Sequence, residues 1–432
     1  MSPRIPGRVL FLGIALPLAC LCSLRTAWAQ ASVAADSSVF FTLQEATRLT
    51  LERHPLLTGA LQRSAAARAV RLDAGRLPDP SLTVALENFG GSLPAGLRET
   101  TFGLAQGFAR GGLRSAQRAI ADAGLKLADR DGDLIARQLI TETSTRFVEA
   151  WAQQERVDRL GAAETLAQRA IAAAERRHRE GAAPIVERTR AVAQAGLRRV
   201  ERSRAEAALR ASRIELASAC GVLADSIGRL LLPAPSARGV PEAAALALEA
   251  TAHPWVQLAR GEVEMQQAQR RLTRAERGPE FELSGGLRQF AEGSATGVIV
   301  AVRAGLPIWN RRTGAIAAAD ARILSAEAGV EEATRLSRTA MLATRERLVA
   351  ASAALDALLT DVRPSAALAL EQVLAAYLGG RLGYVEFLDA QRGVLETDLT
   401  IVDAEREAWL ARVELEQLLG RALDASGAEG GN

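Results

Sequence analysis

Histidine, cysteine, methionine and the carboxylates are the side chains from which a metal site or an acid–base centre would be built. Their placement here argues against both. The three histidines are His54, His178 and His253, and two of them stand in equivalent helix-boundary dipeptides, His54-Pro55 and His253-Pro254, which read as structural. His178 lies about one helical turn before Gly181 and reads as a solvated residue at a turn. Met1, Met265 and Met341 form no cluster for soft metals. Neither a G-x-S-x-G nucleophile motif nor a phosphate-binding loop is present, and Gly111-Gly112 reads as a turn. No catalytic residue, cofactor site or metal ligand set is expected, and the chain is read as something other than an enzyme. Most carboxylates sit at helical spacing, as on a solvated face. One pair stands apart: Glu386 and Asp389, three residues apart just after a glycine-rich turn, share one helix face. In a threefold assembly they place six acids around the axis, a ring that attracts cations and titrates as a coupled set.

The elements that would position such a ring follow from composition and pattern. Of 432 residues, 48% are apolar but only 4% aromatic, and alanine is abundant, which suits long helices in close contact. The 53 basic residues against 50 acidic ones owe their excess to Arg4, Arg8 and Arg25 near the N-terminus. No arginine stripe interleaved with aromatics appears, so no nucleic-acid partner is expected. Arg4 and Arg8 precede the apolar run Val9 to Leu16, and Ala27-Trp28-Ala29 supplies a small-x-small cleavage pattern, so residues 1–29 read as an export signal. A second reading takes Leu18-Ala19-Cys20 as a lipoprotein site that lipidates Cys20. Under the first reading Cys220 is left alone and no internal disulfide forms. Beyond the signal there is no run of about 18 apolar residues, so any membrane crossing must be made by strands.

The mature sequence matches itself at an offset of 199. His54-Pro55 meets His253-Pro254, Pro80 meets Pro279, Gly181 meets Gly380, Val186-Glu187 meets Val385-Glu386, and Gly221 meets Gly420. A single register held that long means two copies of one structural unit. The expected organisation is a first repeat within 30–221, a linker over 222–239 that belts the helices, a second repeat over 240–420, and a disordered tail over 421–432.

Each copy reads in the same order: a short helix, a second helix, a proline stop, two alternating strands, then a very long helix. In the first copy the helices cover about 43–53 and 56–76, and Leu77-Pro78-Asp79-Pro80 ends the pattern. Leu82, Val84 and Leu86 alternate with Ser81, Thr83, Ala85 and Glu87, and alternation resumes with Phe102 and Leu104 after the turn Gly90 to Gly96. The second copy repeats this with Phe281, Leu283 and Leu287, then Val298, Val300 and Val302. The hairpins, about 80–106 and 280–306, have strands of the length that crosses a bilayer at a tilt. Four strands cannot close a barrel, so they must be shared among protomers, and a trimer gives twelve. From about 114 to 179 no proline interrupts the helical pattern, a span of roughly 100 Å at about 1.5 Å per residue. It turns at Gly181-Ala182-Ala183-Pro184 and returns over about 185–220. The second long helix, about 313–378, carries Pro364, where a kink is expected.

Over nearly the whole mature chain the sequence resembles the TolC family of outer-membrane efflux channels, and most nearly the CzcC-like heavy-metal branch. The residues that carry this are Leu77-Pro78-Asp79-Pro80-Ser81-Leu82 with Glu87-Asn88-Phe89-Gly90-Gly91, the turn Gly380-Arg381-Leu382-Gly383-Tyr384, and Leu388-Asp389-Ala390-Gln391-Arg392. The resemblance implies a mainly helical homotrimer: a twelve-stranded barrel in outer-membrane lipid, continued by a long helical barrel across the periplasm. It implies passive conduction of substrate, here divalent heavy-metal cations, supplied by an inner-membrane RND pump through a periplasmic adaptor. Matching positions imply a periplasmic gate at Glu386 and Asp389, with Tyr377 and Glu187 as gate-linking side chains. Leu382 stands where some members carry a basic gate partner. The tips Gly181-Ala182-Ala183 and Gly380-Arg381-Leu382 resemble loops on which adaptor hairpins dock. Multidrug efflux and type I secretion channels share the architecture, and a periplasmic coiled-coil scaffold would explain the helices but not the hairpins.

Overall fold

The computed structural model describes residues 40–87, 99–109, 111–237, 239–290, 295–306, 308–309 and 311–423. The export signal with Cys20, the hairpin turn through Gly90 to Gly96 and the end of the tail from 424 lie outside them.

Helix α1 (Leu43–Arg53) is capped by the Thr42 side chain, which accepts from the Glu45 N–H, and α2 (Pro55–Asp73) by His54, whose Nδ1 accepts from the Leu56 N–H. Proline in the first turn costs no hydrogen bond, because that N–H has no helical partner anyway. Helix α3 (Gly111–Arg179) runs uninterrupted for 69 residues, about 100 Å. Along it both α2 and α4 (Ile185–Cys220) pack. Buried alanines on α3 (Ala150, Ala152, Ala167, Ala170, Ala174) and on α4 (Ala191, Ala195, Ala205) line these helices. Small side chains let helices approach toward the short end of the usual 8–10 Å separation.

The second half follows suit. Helix α5 (Ala243–Glu249) leads through a 3-10 turn into α6 (Pro254–Ala275), and α7 (Thr313–Ala357) and α8 (Arg363–Leu378) run out before α9 (Tyr384–Leu419) returns. Helices α4 and α9 begin and end 199 residues apart, and each stops at a left-handed glycine, Gly221 (φ 65°) and Gly420 (φ 71°). At Pro364 the break takes the form of a π turn over Leu358–Val362, after which the proline occupies the first turn of α8.

The linker is not a loose connection. Strand β1 (Phe40–Thr42) pairs in parallel with β4 (Arg229–Leu231). The buried Gln154 amide both donates to the Leu230 carbonyl and accepts its N–H, each at 3.0 Å, so α3 acts as a third strand edge there. Trp409 and Arg412 on α9 donate to the carbonyls of Pro233 and Ser236. The belt encloses a core of Phe41, Phe147, Trp151, Leu216, Leu230 and Val402. The expected disordered tail needs correcting at its start: Leu423 is fully buried, its N–H donates to Glu416, and Arg421 pairs with Glu249.

His253 caps α6 through Nδ1, accepting from the Trp255 N–H at 3.2 Å, and is itself 3% exposed. Burial, with Arg137 nearby, lowers its pKa from 6.5 to about 4. The unfolded chain therefore takes up a proton between those values that the folded chain refuses, so stability falls as pH drops through this window. The contribution is about 3 kcal/mol at the acid end. Replacing His253 with Asn keeps a capping acceptor and removes the titration. Thermal melts of the two proteins from pH 7.5 to 4.5 should diverge, the wild type losing more.

Strands β2 (Ser81–Glu87), β3 (Glu99–Ala109), β5 (Glu280–Phe290) and β6 (Thr296–Gly305) form one antiparallel sheet in the order β2-β3-β5-β6. Its registry sorts the side chains by face. Leu82, Val84, Phe102, Leu104, Leu283, Leu287, Val298 and Val300 share one face and are all exposed. The other face holds the charges: Arg288 donates to Glu99 at 2.7 Å and lies 3.3 Å from Glu87, and Arg303 pairs with Glu282. Among the described residues β2 and β6 have no outer strand partner.

Candidate functional site at the helical tips

At the far end of the helices the two turns are built alike. Gly181 (φ 73°) follows α3, with Gly181 N–H donating to His178 O and Ala182 N–H to Arg177 O. Gly380 (φ 75°) follows α8, with Gly380 N–H donating to Tyr377 O and Arg381 N–H to Ala376 O. This pair of bonds is the Schellman closure, which requires a left-handed residue and so selects glycine. Around each glycine the space that a Cβ would occupy is open. Gly181, Ala182, Gly380 and Arg381 are exposed and Leu382 is half-buried, but Ala183 is buried at 7% and faces inward. His178 is exposed, as expected of a solvated tip, yet it also closes the turn through Nδ1, 3.0 Å from the Ala183 carbonyl.

Tyr377 lies at the centre of the tip core. It is fully buried, stacked face to face on Phe387 at 5.1 Å and edge-on to Tyr384, above Ala170, Ala173, Ala174 and Ala191. Its hydroxyl donates to Glu187 at 3.4 Å, so the fold brings together the two residues expected as gate links, from α8 and the first turn of α4. Burial and then the Glu187 charge push the Tyr377 phenol up to about 12, which keeps it a donor at neutral pH.

Arg177, which sequence reading did not single out, completes the cluster. Its guanidinium sits 4.4 Å over the Tyr377 ring and donates to the Tyr377 carbonyl. It places a positive charge against Tyr377, whereas Leu382 carries none. Glu386 and Asp389 are both exposed on α9, beside this core rather than within it; Asp389 has Arg392 at 3.9 Å and is otherwise open. Among the described residues no three of His, Cys, Asp and Glu gather as metal ligands would.

The architecture has known counterparts. Residues 247–421 match the family model described as outer membrane efflux protein. The cobalt-zinc-cadmium resistance protein CzcC of Cupriavidus metallidurans is 26% identical over 429 residues, covering 96% of this chain and all of that one. The second half of the chain thus matches the outer membrane efflux protein family, and the likeness to CzcC runs over nearly the whole of it. Solved structures extend the likeness to the fold of nearly the entire chain. The outer-membrane channel OprN superposes with a TM-score of 0.73 at 18% identity, covering 95% of this chain and 98% of its own. The outer membrane protein VceC of Vibrio cholerae gives 0.73 at 18%, covering 88% and 96%. In this fold the two-faced sheet is the part suited to lipid, and the long helices extend away from it.

Proposed function

We propose that three copies of the chain assemble into a passive conduit for divalent heavy-metal cations, loaded by an inner-membrane RND pump through a periplasmic adaptor. The observation that carries the conduit is the sheet: four strands with one apolar and one charged face and two open edges. Three such sheets joined edge to edge make a twelve-stranded barrel with lipid outside and a charged lumen inside. The likeness to CzcC, named for cobalt, zinc and cadmium resistance, supports the choice of cargo.

In this reading Glu386 and Asp389 of three protomers ring the mouth, concentrating cations there and repelling one another where the mouth narrows. Tyr377, Glu187 and Arg177 hold the tips in the closed arrangement, and the exposed parts of the two turns receive the adaptor. Conduction then asks no bond-making of this chain.

Deleting the gene tests the cargo. Growth is measured across graded zinc, cadmium, cobalt, nickel and copper, beside a panel of hydrophobic drugs. Hypersensitivity confined to divalent metals, reversed by the wild-type gene, is the expected result. Sensitivity to drugs alone would move the protein to multidrug efflux.

A further inference from the structure

Two copies of one unit constrain any ring they build together. Inside the chain, α3 of the first unit lies against α9 of the second, and Tyr377 of the second unit reaches Glu187 of the first. The 199-residue offset carries Glu187 onto Glu386 and Tyr377 back onto His178. The backbone at these places is equivalent. Helices α4 and α9 start in step at Ile185 and Tyr384, and Gly181 and Gly380 share φ and the same closing hydrogen bonds.

In a ring where first and second units alternate, a contact made from second unit to first inside a chain has its counterpart between chains, made from first unit to second. We therefore propose that His178 of one protomer faces Glu386 of its neighbour, the seam version of the Tyr377–Glu187 contact. The inference rests on the threefold assembly proposed above. Exposure agrees with it: Tyr377 is buried in its own chain, whereas His178 and Glu386 both lie open. His178 has Nδ1 held as donor at the Ala183 carbonyl, which fixes the ring, and as an imidazolium it presents Nε2–H to a carboxylate partner.

The mouth then carries two kinds of link in alternation. Three lie within chains, under stacked aromatic rings and an arginine. Three lie at the seams, where Phe387 is answered by Arg188 and Arg177 by Ala376, so nothing comparable covers them. The seam links are the weaker set, and opening of the mouth begins there.

Two differently tagged chains test this, one with His178→Cys and one with Glu386→Cys, both carrying Cys220→Ala and coexpressed. Membranes are treated with a short bis-maleimide. An adduct carrying both tags, several-fold stronger than adducts carrying one tag, is expected. A single chain with Tyr377→Cys and Glu187→Cys serves as reference and should bridge within itself, gaining one reagent molecule and forming no covalent dimer. If the two tags copurify in one assembly yet no two-tag adduct forms, the seam contact is wrong. If the tags do not copurify, the threefold assembly fails, and the seam contact with it.

Discussion

Val300→Arg should abolish assembly in the outer membrane, while Ala301→Arg, one residue on, should leave it largely intact. Val300 lies mid-strand on β6, opposite Gly285, on the face shared with Val298, Leu287 and Phe102, and is 72% exposed. Such exposure of a valine row is unfavourable in water and ordinary in lipid. An arginine there costs roughly 2–4 kcal/mol near the bilayer centre, and a threefold assembly takes that cost at three sites. Ala301 points the other way, beside Ser284 on the face with Arg288, Arg303 and Glu282, where charge is already accommodated. Outer-membrane fractionation and heat-modified gel mobility read the result. If both variants assemble equally well, the apolar face is not lipid-facing and the sheet has another role.

That contrast between neighbours was legible in the sequence, because strand alternation has a period of two and each hairpin carries its own pattern. So were the ends of α4 and α9, fixed by glycines 199 residues apart. Which strands meet within each hairpin was legible, but how the two hairpins join was not. The central pairing of β3 with β5 joins residues far apart in sequence, such as Phe102 with Leu287, and no local signal announces it. The Gln154 clamp on Leu230 escaped for a similar reason: a glutamine in a long helix has no mark distinguishing it from a solvated one. Pro364 gave the position of a break but not its form, since a π turn and a kink both accommodate the missing N–H.

The tip cluster divides the same way. The family resemblance points to Tyr377 and Glu187, and the fold sets one against the other. Arg177 was hidden in the run Arg176-Arg177-His178-Arg179, where charge alone reads as a solvated helix end. A signal was present all the same. Aligning the repeats sets Arg177 against Ala376 and His178 against Tyr377, and a position where two copies differ this sharply is one where their surroundings must differ too.

The glycines at the tips lead to the second large effect. Gly380→Trp and Gly181→Trp should reduce efflux to the level of the deletion strain while the assembly forms normally, and Gly380→Asn should retain most activity. Each glycine holds φ above +70°, and no other atom lies within 4 Å of where a Cβ would stand. A side chain there meets no clash inside the protomer, so its direct cost is the left-handed backbone, about 1–2 kcal/mol for an ordinary residue and less for Asn. That is too little to unfold helices anchored by the aromatic tip core and the belt. What the bulk does reach is the outer surface of the turn, where the adaptor is proposed to dock. Metal tolerance, assembly on gels and pull-down of the adaptor are measured together. Loss of efflux with loss of adaptor capture and an intact assembly supports docking on the turns. If Asn and Trp variants are equally defective and the assembly falls apart, the glycines serve only to close the helices.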